Sequence, residues 1–284
     1  MTTVGPVSLT VADLPRQLAF YTERLGFRVH ANDRGTARLG AGGSDLLVLN
    51  ENKTARPAHG TTGLFHFAVL LPSREALARS LARLAETRMR LQGAADHLVS
   101  EALYLADPEG NGIELYRDRP REEWTWENGQ VGMTTDPLDV EALLAEGEAE
   151  GSAWNGLPKR TVIGHVHLKV GHIAPAERFY CDLLGLDLTA RYGPMASFVS
   201  YAGYHHHVAF NTWGGVGAPA APEGATGLEE FVLNLPGEDE VERILARATA
   251  ADVPVGPDAL LRDPSGNAVR LAASPAGSVS TGTR

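Results

Sequence analysis

"VGPVSLTVADLPRQLAFYTERLGFRV" at residues 4–29 returns as "IGHVHLKVGHIAPAERFYCDLLGLDL" at residues 163–188. Phe20-Tyr21 and Phe179-Tyr180 mark equivalent points 159 residues apart. Working outward, a second pair repeats: "GLFHFAVLLPSREALARSLARL" at 63–84 matches "GLEEFVLNLPGEDEVERILARA" at 227–248. The closing segments match as well, "LADPEGNGIELY" at 105–116 against "LRDPSGNAVRLA" at 261–272. Two unlike units therefore alternate along the chain. Such internal periodicity is the first thing to settle, because it fixes the architecture before any single element is assigned.

Each unit opens on an apolar or alternating stretch that reads as a strand: Val7 to Val11, Phe65 to Leu71, Val166 to Val170 and Phe231 to Leu235. Apolar spacing of three and four residues then marks helices, as in Leu77, Leu81 and Leu84, and in Val241, Ile244 and Leu245. Gly26 and Gly185 stand where helices of the first and third units should be capped. Asp45 to Leu49 and Gly112 to Tyr116 read as later strands, and "DPEGNG" and "DPSGN" carry turn chemistry. The expected fold is α+β, four β-α-β-β-β modules in two paired-module domains. Along the chain the expectation is an N-terminal domain over 1–118 and a linker over 119–160 with a short helix at Leu138 to Leu144. A C-terminal domain over 161–274 and a disordered tail over 275–284 follow.

The chain has 284 residues, enough for two domains with sizeable cores. Its net charge is −10 and no basic run could track phosphates, so nucleic acid is not an expected partner. The single cysteine, Cys181, leaves no intrachain disulfide and fits a reducing compartment, where a small buried hydrophobe is the favoured reading of it. Neither a signal-peptide pattern at the start nor a bilayer-length apolar run is visible, so no membrane partner is expected and the default location is cytoplasmic.

The segments "GLFHFAVLLP", "SEALYLADPEGNGIELYRDRP", "IGHVHLKV" and "YHHHVAFNTW" carry a family likeness. The chain resembles the vicinal-oxygen-chelate superfamily of glyoxalase I, bleomycin-resistance proteins and extradiol dioxygenases, and within it the two-domain catechol 2,3-dioxygenases. In that superfamily, metal ligands project from the first and last strands of paired modules. Module one offers Pro6 and an apolar last strand; module four offers Glu230 with Arg270 where a terminal glutamate would stand. Module two offers His66 and Glu114, and module three His165 with His206 and His207. By the resemblance, His66, Glu114 and His165 form the two-histidine, one-carboxylate set of an Fe(II) centre, provided modules two and three pair. The other pairing, one with two and three with four, would bring His165 and His207 to Glu230. His167 shares a strand face with His165 and is the alternative ligand there.

The resemblance also implies site residues outside the metal set. "HHVAF" places a catalytic histidine at His206, with His207 still open. Tyr104 stands ten residues before Glu114, a spacing of the family, and His97 lies near a further pocket histidine with the register off by about two residues. Trp124, Trp126, Trp154 and Trp213 read as packing residues. The implied activity is Fe(II)-dependent extradiol cleavage of a small aromatic diol by dioxygen. A glyoxalase-like isomerase or lyase on Mn(II), Zn(II) or Ni(II), and a metal-free small-molecule binder, are the rivals. A homo-oligomer is compatible with all three.

Overall fold

The computed structural model describes residues 2–149 and 154–274, so the expected tail over 275–284 lies outside the described residues. Module one comprises β1 (Thr3–Val11), α1 (Leu14–Ala19), β2 (Arg28–Asp33), β3 (Thr36–Gly40) and β4 (Asp45–Glu51). Module two comprises β5 (Gly63–Leu70), α2 (Arg74–Glu86), β6 (Gly93–Asp96), β7 (Ser100–Ala106) and β8 (Gly112–Asp118). The stretch between the repeats is not a bare linker. It carries a two-stranded ribbon of β9 (Trp126–Glu127) and β10 (Gln130–Val131), then β11 (Asp136–Pro137) and helix α3 (Val140–Ala149).

Module three comprises β12 (Val162–Lys169), α4 (Ile173–Glu177), β13 (Asp187–Tyr192), β14 (Ala196–Ser200) and β15 (Val208–Asn211). Module four has β16 (Gly227–Leu235), α5 (Glu238–Ala250), β17 (Leu260–Arg262) and β18 (Ala268–Ala273), one strand fewer than its siblings. A lone bridge, Gly256 to Leu260, and a 3-10 turn at Pro257–Ala259 stand where the extra strand would run. Pro254 and Pro257 flank that bridge, and neither can donate a ladder hydrogen bond.

The strands form two large sheets. One runs β17-β18-β16-β1-β4-β3-β2 and the other β11-β6-β7-β8-β5-β12-β15-β14-β13. Modules one and four therefore share a sheet, joined by antiparallel β1 and β16. Modules two and three share the other, joined by antiparallel β5 and β12. The boundary between residues 1–118 and 161–274 describes order along the chain, whereas each sheet takes one module from either half. A single apolar cluster runs through both sheets, with Val7, Leu9, Phe67, Val166 and Phe231 fully buried. Leu77, Leu81, Leu84, Val241 and Ile244 press α2 and α5 onto it, as the helical spacing predicts.

A second set of ties crosses between the sheets. After α1 and α4 the backbone widens into π-helical turns, Phe20–Arg24 and Arg178–Leu183, each closed by a left-handed glycine, Gly26 (φ 79°) and Gly185 (φ 84°). The wide turns carry Tyr21 and Tyr180 inward. Tyr21 donates its hydroxyl to Asp107 at 3.0 Å, and Tyr180 donates to Asp263 at 3.2 Å. Each bond links consecutive modules, one to two and three to four, while the sheets link one to four and two to three.

Candidate metal centre and its cavity

Register places the key side chains. β5 lies parallel to β8 with Ala68 opposite Glu114, and antiparallel to β12 with His66 opposite His167 and Ala68 opposite His165. Glu114, His66 and His165 thus come from three adjacent strands at the centre of one sheet. Their ligand atoms all lie within 4.8 Å of one another, and all three residues are buried. The Glu114 Oε2 atom is 2.9 Å from His66 Nε2 and 3.0 Å from His165 Nε2, and the two Nε2 atoms are 3.4 Å apart. Two imidazole nitrogens and one carboxylate oxygen at such range are a donor set suited to a first-row divalent ion.

The two imidazoles and burial set the charge state of the cluster. Burial pushes the Glu114 carboxyl up, but the His165 and His66 imidazoles outweigh it and hold the group well below its ordinary range. Burial lowers His165 to about 4 against the pull of Glu114, so its ring is neutral at physiological pH. Close approach of strands is needed here. A Cβ on Gly112 would meet the Phe65 carbonyl, and one on Gly164 would meet the Tyr116 hydroxyl, whose ring packs 4.9 Å from His165.

His206 stands beside the ligands, its ring 4.1 Å from that of His165. Its Nδ1 is 2.7 Å from His205 Nδ1, and His205 Nε2 is 2.9 Å from Asp118 Oδ1. A carboxylate only accepts, so His205 carries a proton on Nε2, and one of the two facing Nδ1 atoms donates to the other. His206 lines the cavity, and with its Nδ1 as the donor its Nε2 is left to accept. Burial, then the neighbouring histidines, lower the His206 pKa well below the ordinary value, which keeps the ring neutral. Residues 203–207 precede β15 and are not strand, so neighbouring His205 and His206 touch; in a strand they would point to opposite faces.

Tyr104 lies directly opposite Glu114 across β7 and β8. His97 Nδ1 donates to the Thr134 carbonyl at 2.6 Å, and its Nε2 is hydrogen-bonded to the Tyr104 hydroxyl at 2.7 Å. Burial first, and the Glu114 charge second, raise Tyr104 well above its ordinary value, so it stays a donor. His97 therefore reaches the cavity despite its shifted register.

These side chains open into a cavity of about 450 Å³. Gln130, Val131, Met133, Thr134 and Thr135 from the stretch between the repeats line it, as do Phe65, Phe198 and Trp213. Two expectations need correction. Trp213 is a wall of the cavity, 5.2 Å from Phe65, and not only a packing residue, because the chain leaves β15 toward the mouth. His207 is absent from the lining; its Nδ1 accepts from the Tyr201 amide at 3.2 Å. His167 lines the cavity, but its Nε2 accepts from Asn211 Nδ2 at 2.9 Å and is not free to bind an ion. With β1 paired to β16, Glu230 lies in the other sheet from His165, which removes the alternative triad. His205, Asp118 and Thr134 escaped the sequence reading, since their roles depend on contacts 37 to 87 residues distant in the chain.

Comparison with known proteins follows the same lines. The family model for the Glyoxalase/Bleomycin resistance protein/Dioxygenase superfamily matches residues 3–115 and 162–271. A relative from Bacillus subtilis (strain 168), "Catechol-2,3-dioxygenase", is 44% identical over 255 residues, covering 88% of each chain. Among solved structures, glyoxalase I from Zea mays superposes with a TM-score of 0.55 at 16% identity, over 95% of this chain and 92% of that one. The cppA protein from Streptococcus pneumoniae TIGR4 gives 0.57 at 13% identity, over 96% and 100%. These two likenesses concern the fold alone. Four repeated modules, two shared sheets and matches over both halves have one common explanation: the chain belongs to the glyoxalase/bleomycin resistance/dioxygenase superfamily.

Proposed function

We propose that the protein is an Fe(II)-dependent extradiol dioxygenase that opens the ring of a catechol-type aromatic with dioxygen. The observation that carries this reading is the convergence of His66, Glu114 and His165 beside His206, whose ring lies 4.1 Å from that of His165 in the cavity wall. The 44% identity to a relative named catechol-2,3-dioxygenase supports it. His66, Glu114 and His165 would hold the ion. Bound Fe(II) supplies the chelation of the two diol oxygens and the electron transfer that activates dioxygen, which its open coordination positions permit.

The protein's own groups handle protons and solvent. His206 Nε2 accepts a proton from the entering diol, and the His205–Asp118 pair keeps the ring in the required tautomer. Tyr104, held by His97, offers a hydroxyl toward the Glu114 side of the cavity. Phe65, Phe198 and Trp213 exclude water from the reacting ring. A glyoxalase-like isomerase on Mn(II), Zn(II) or Ni(II) would gain from a fourth protein ligand, and His207 does not reach the cluster.

The test is to load the protein anaerobically with Fe(II), then add catechol and oxygen. One oxygen consumed per catechol with a yellow ring-opened product is expected, and His206→Asn should slow it about 100-fold or more. Tight retention of Zn(II) with no oxygen uptake under Fe(II) would sink the proposal.

A further inference from the structure

The cavity wall away from the ligands says what the diol carries. Phe65, Tyr192 and Trp213 are among the few large hydrophobic side chains left exposed, at 38%, 57% and 46%, and all three border this cavity. Met133 and Val131 continue the apolar surface from the opposite side. Exposed aromatics gathered at one mouth, rather than scattered singly, mark a place where an apolar group is received.

One side chain with a permanent positive charge lines the cavity among the described residues: Arg191, on β13. Its charge is already matched. Glu177, the last residue of α4, takes it in a fork, Oε1 to Nε at 2.8 Å and Oε2 to Nη2 at 3.0 Å. Glu177 also accepts from Ser197 Oγ at 2.7 Å, which fixes the carboxylate in place. The Arg191 hydrogen bond, outweighing the effect of burial, lowers the Glu177 pKa, so the pair stays charged through neutral pH. A ring carboxylate brought to this wall would meet an arginine already matched by Glu177 and an apolar surface. It would lose its water without gaining a partner, the usual means of turning away a wrong ligand.

We propose that the substrate is a catechol bearing an uncharged, apolar ring substituent, and that Glu177, by engaging Arg191, is the residue that rejects ring carboxylates. The inference rests on the dioxygenase reading for its chemistry, but the preference of the cavity can be measured without turnover. Two diols serve as probes: 4-methylcatechol and 3,4-dihydroxyphenylacetate, which differ by a carboxylate. Their binding to the Fe(II)-loaded protein is followed under argon by quenching of tryptophan fluorescence, and their kcat/KM is measured in air.

The methyl diol should be favoured by at least about tenfold in both assays. In Glu177→Gln the ratio should fall at least about threefold, because Arg191 becomes free to take the carboxylate. In the double variant Glu177→Gln, Arg191→Met it should return toward the wild-type value. Equal or better binding of the carboxylated diol, or a ratio that Glu177→Gln leaves unchanged in folded protein, overturns the inference. Should neither diol be oxidised while the argon preference holds, the dioxygenase reading fails and the selectivity of the cavity stands.

Discussion

The two sheets are the same frame furnished differently. At matched positions, His165 on β12 answers to Pro6 on β1, and His66 on β5 answers to Glu230 on β16. Glu114 on β8 answers to Arg270 on β18, since each stands opposite an equivalent residue of its parallel neighbour, Ala68 and Val232. His206, two residues before Val208, answers to Asp45, two before Leu47. In the sheet of modules one and four, Arg270 grips Glu230 at 2.8 and 2.6 Å, and His30 and Arg38 meet Asp45 at 2.8 and 3.2 Å. A guanidinium there supplies the positive charge that, on the proposed reading, an ion would supply in the other sheet. The comparison teaches that the backbone delivers convergent positions to both places. Side-chain charge alone decides whether they satisfy one another or wait for a cation.

The sharpest way to break that contrast is to remove the carboxylate. Glu114→Gln should cost the protein its retained ion and lower ring cleavage by more than about 100-fold, since loss of even an indirect partner of a metal ligand costs 10–100-fold. Metal content after gel filtration, alongside oxygen uptake, checks this. A variant that still retained one ion per chain would disprove the triad.

A smaller effect should appear in stability against pH, because buried neutral histidines crowd the sheet of modules two and three. Burial lowers His207 from 6.5 to about 3. Between those values the unfolded chain binds more protons than the folded one, so stability is full above about pH 6.5 and falls as pH drops toward 3. The slope from this group is about 1.4 kcal/mol per pH unit within the window. His207→Asn, whose Oδ1 can accept from the Tyr201 amide in place of Nδ1, should remove that share. Urea denaturation at pH 7, 6 and 5 measures it, and an unchanged slope in the variant would contradict the assignment.

The smallest effect belongs to the other sheet. Arg270→Met should lower stability by about 1 kcal/mol, typical of a partly exposed ion pair, with ring cleavage unchanged. A parallel loss of activity would mean that the two places are energetically coupled and that the contrast drawn between them is false.

Much of this was legible in the chain. The repeats gave four modules because strand and helix periodicities survive in each copy, and the resemblance pointed to the ligands because His66 and His165 open equivalent strands and Glu114 lies on the last strand of module two. Module four was over-read, since two prolines replace a strand that its siblings form. The stretch over 119–160 was under-read: its charged, Gly-rich composition hides short strands whose side chains become one wall of the cavity. The contacts of the histidines were beyond reach, because His205, beside His206, is held by Asp118, 87 residues earlier and in another module.

The sequence by itself determined the modules and their order, since these depend on local periodicity and residue type, and the resemblance it carries pointed to the three side chains able to share an ion. Only the tertiary structure decided which modules share a sheet, which histidine faces the cavity and what matches Arg191. Pairing is a competition among strand edges far apart in the chain. Its outcome here is the antiparallel joining of β5 to β12 and of β1 to β16, contacts between segments at least 92 residues apart that no single segment encodes.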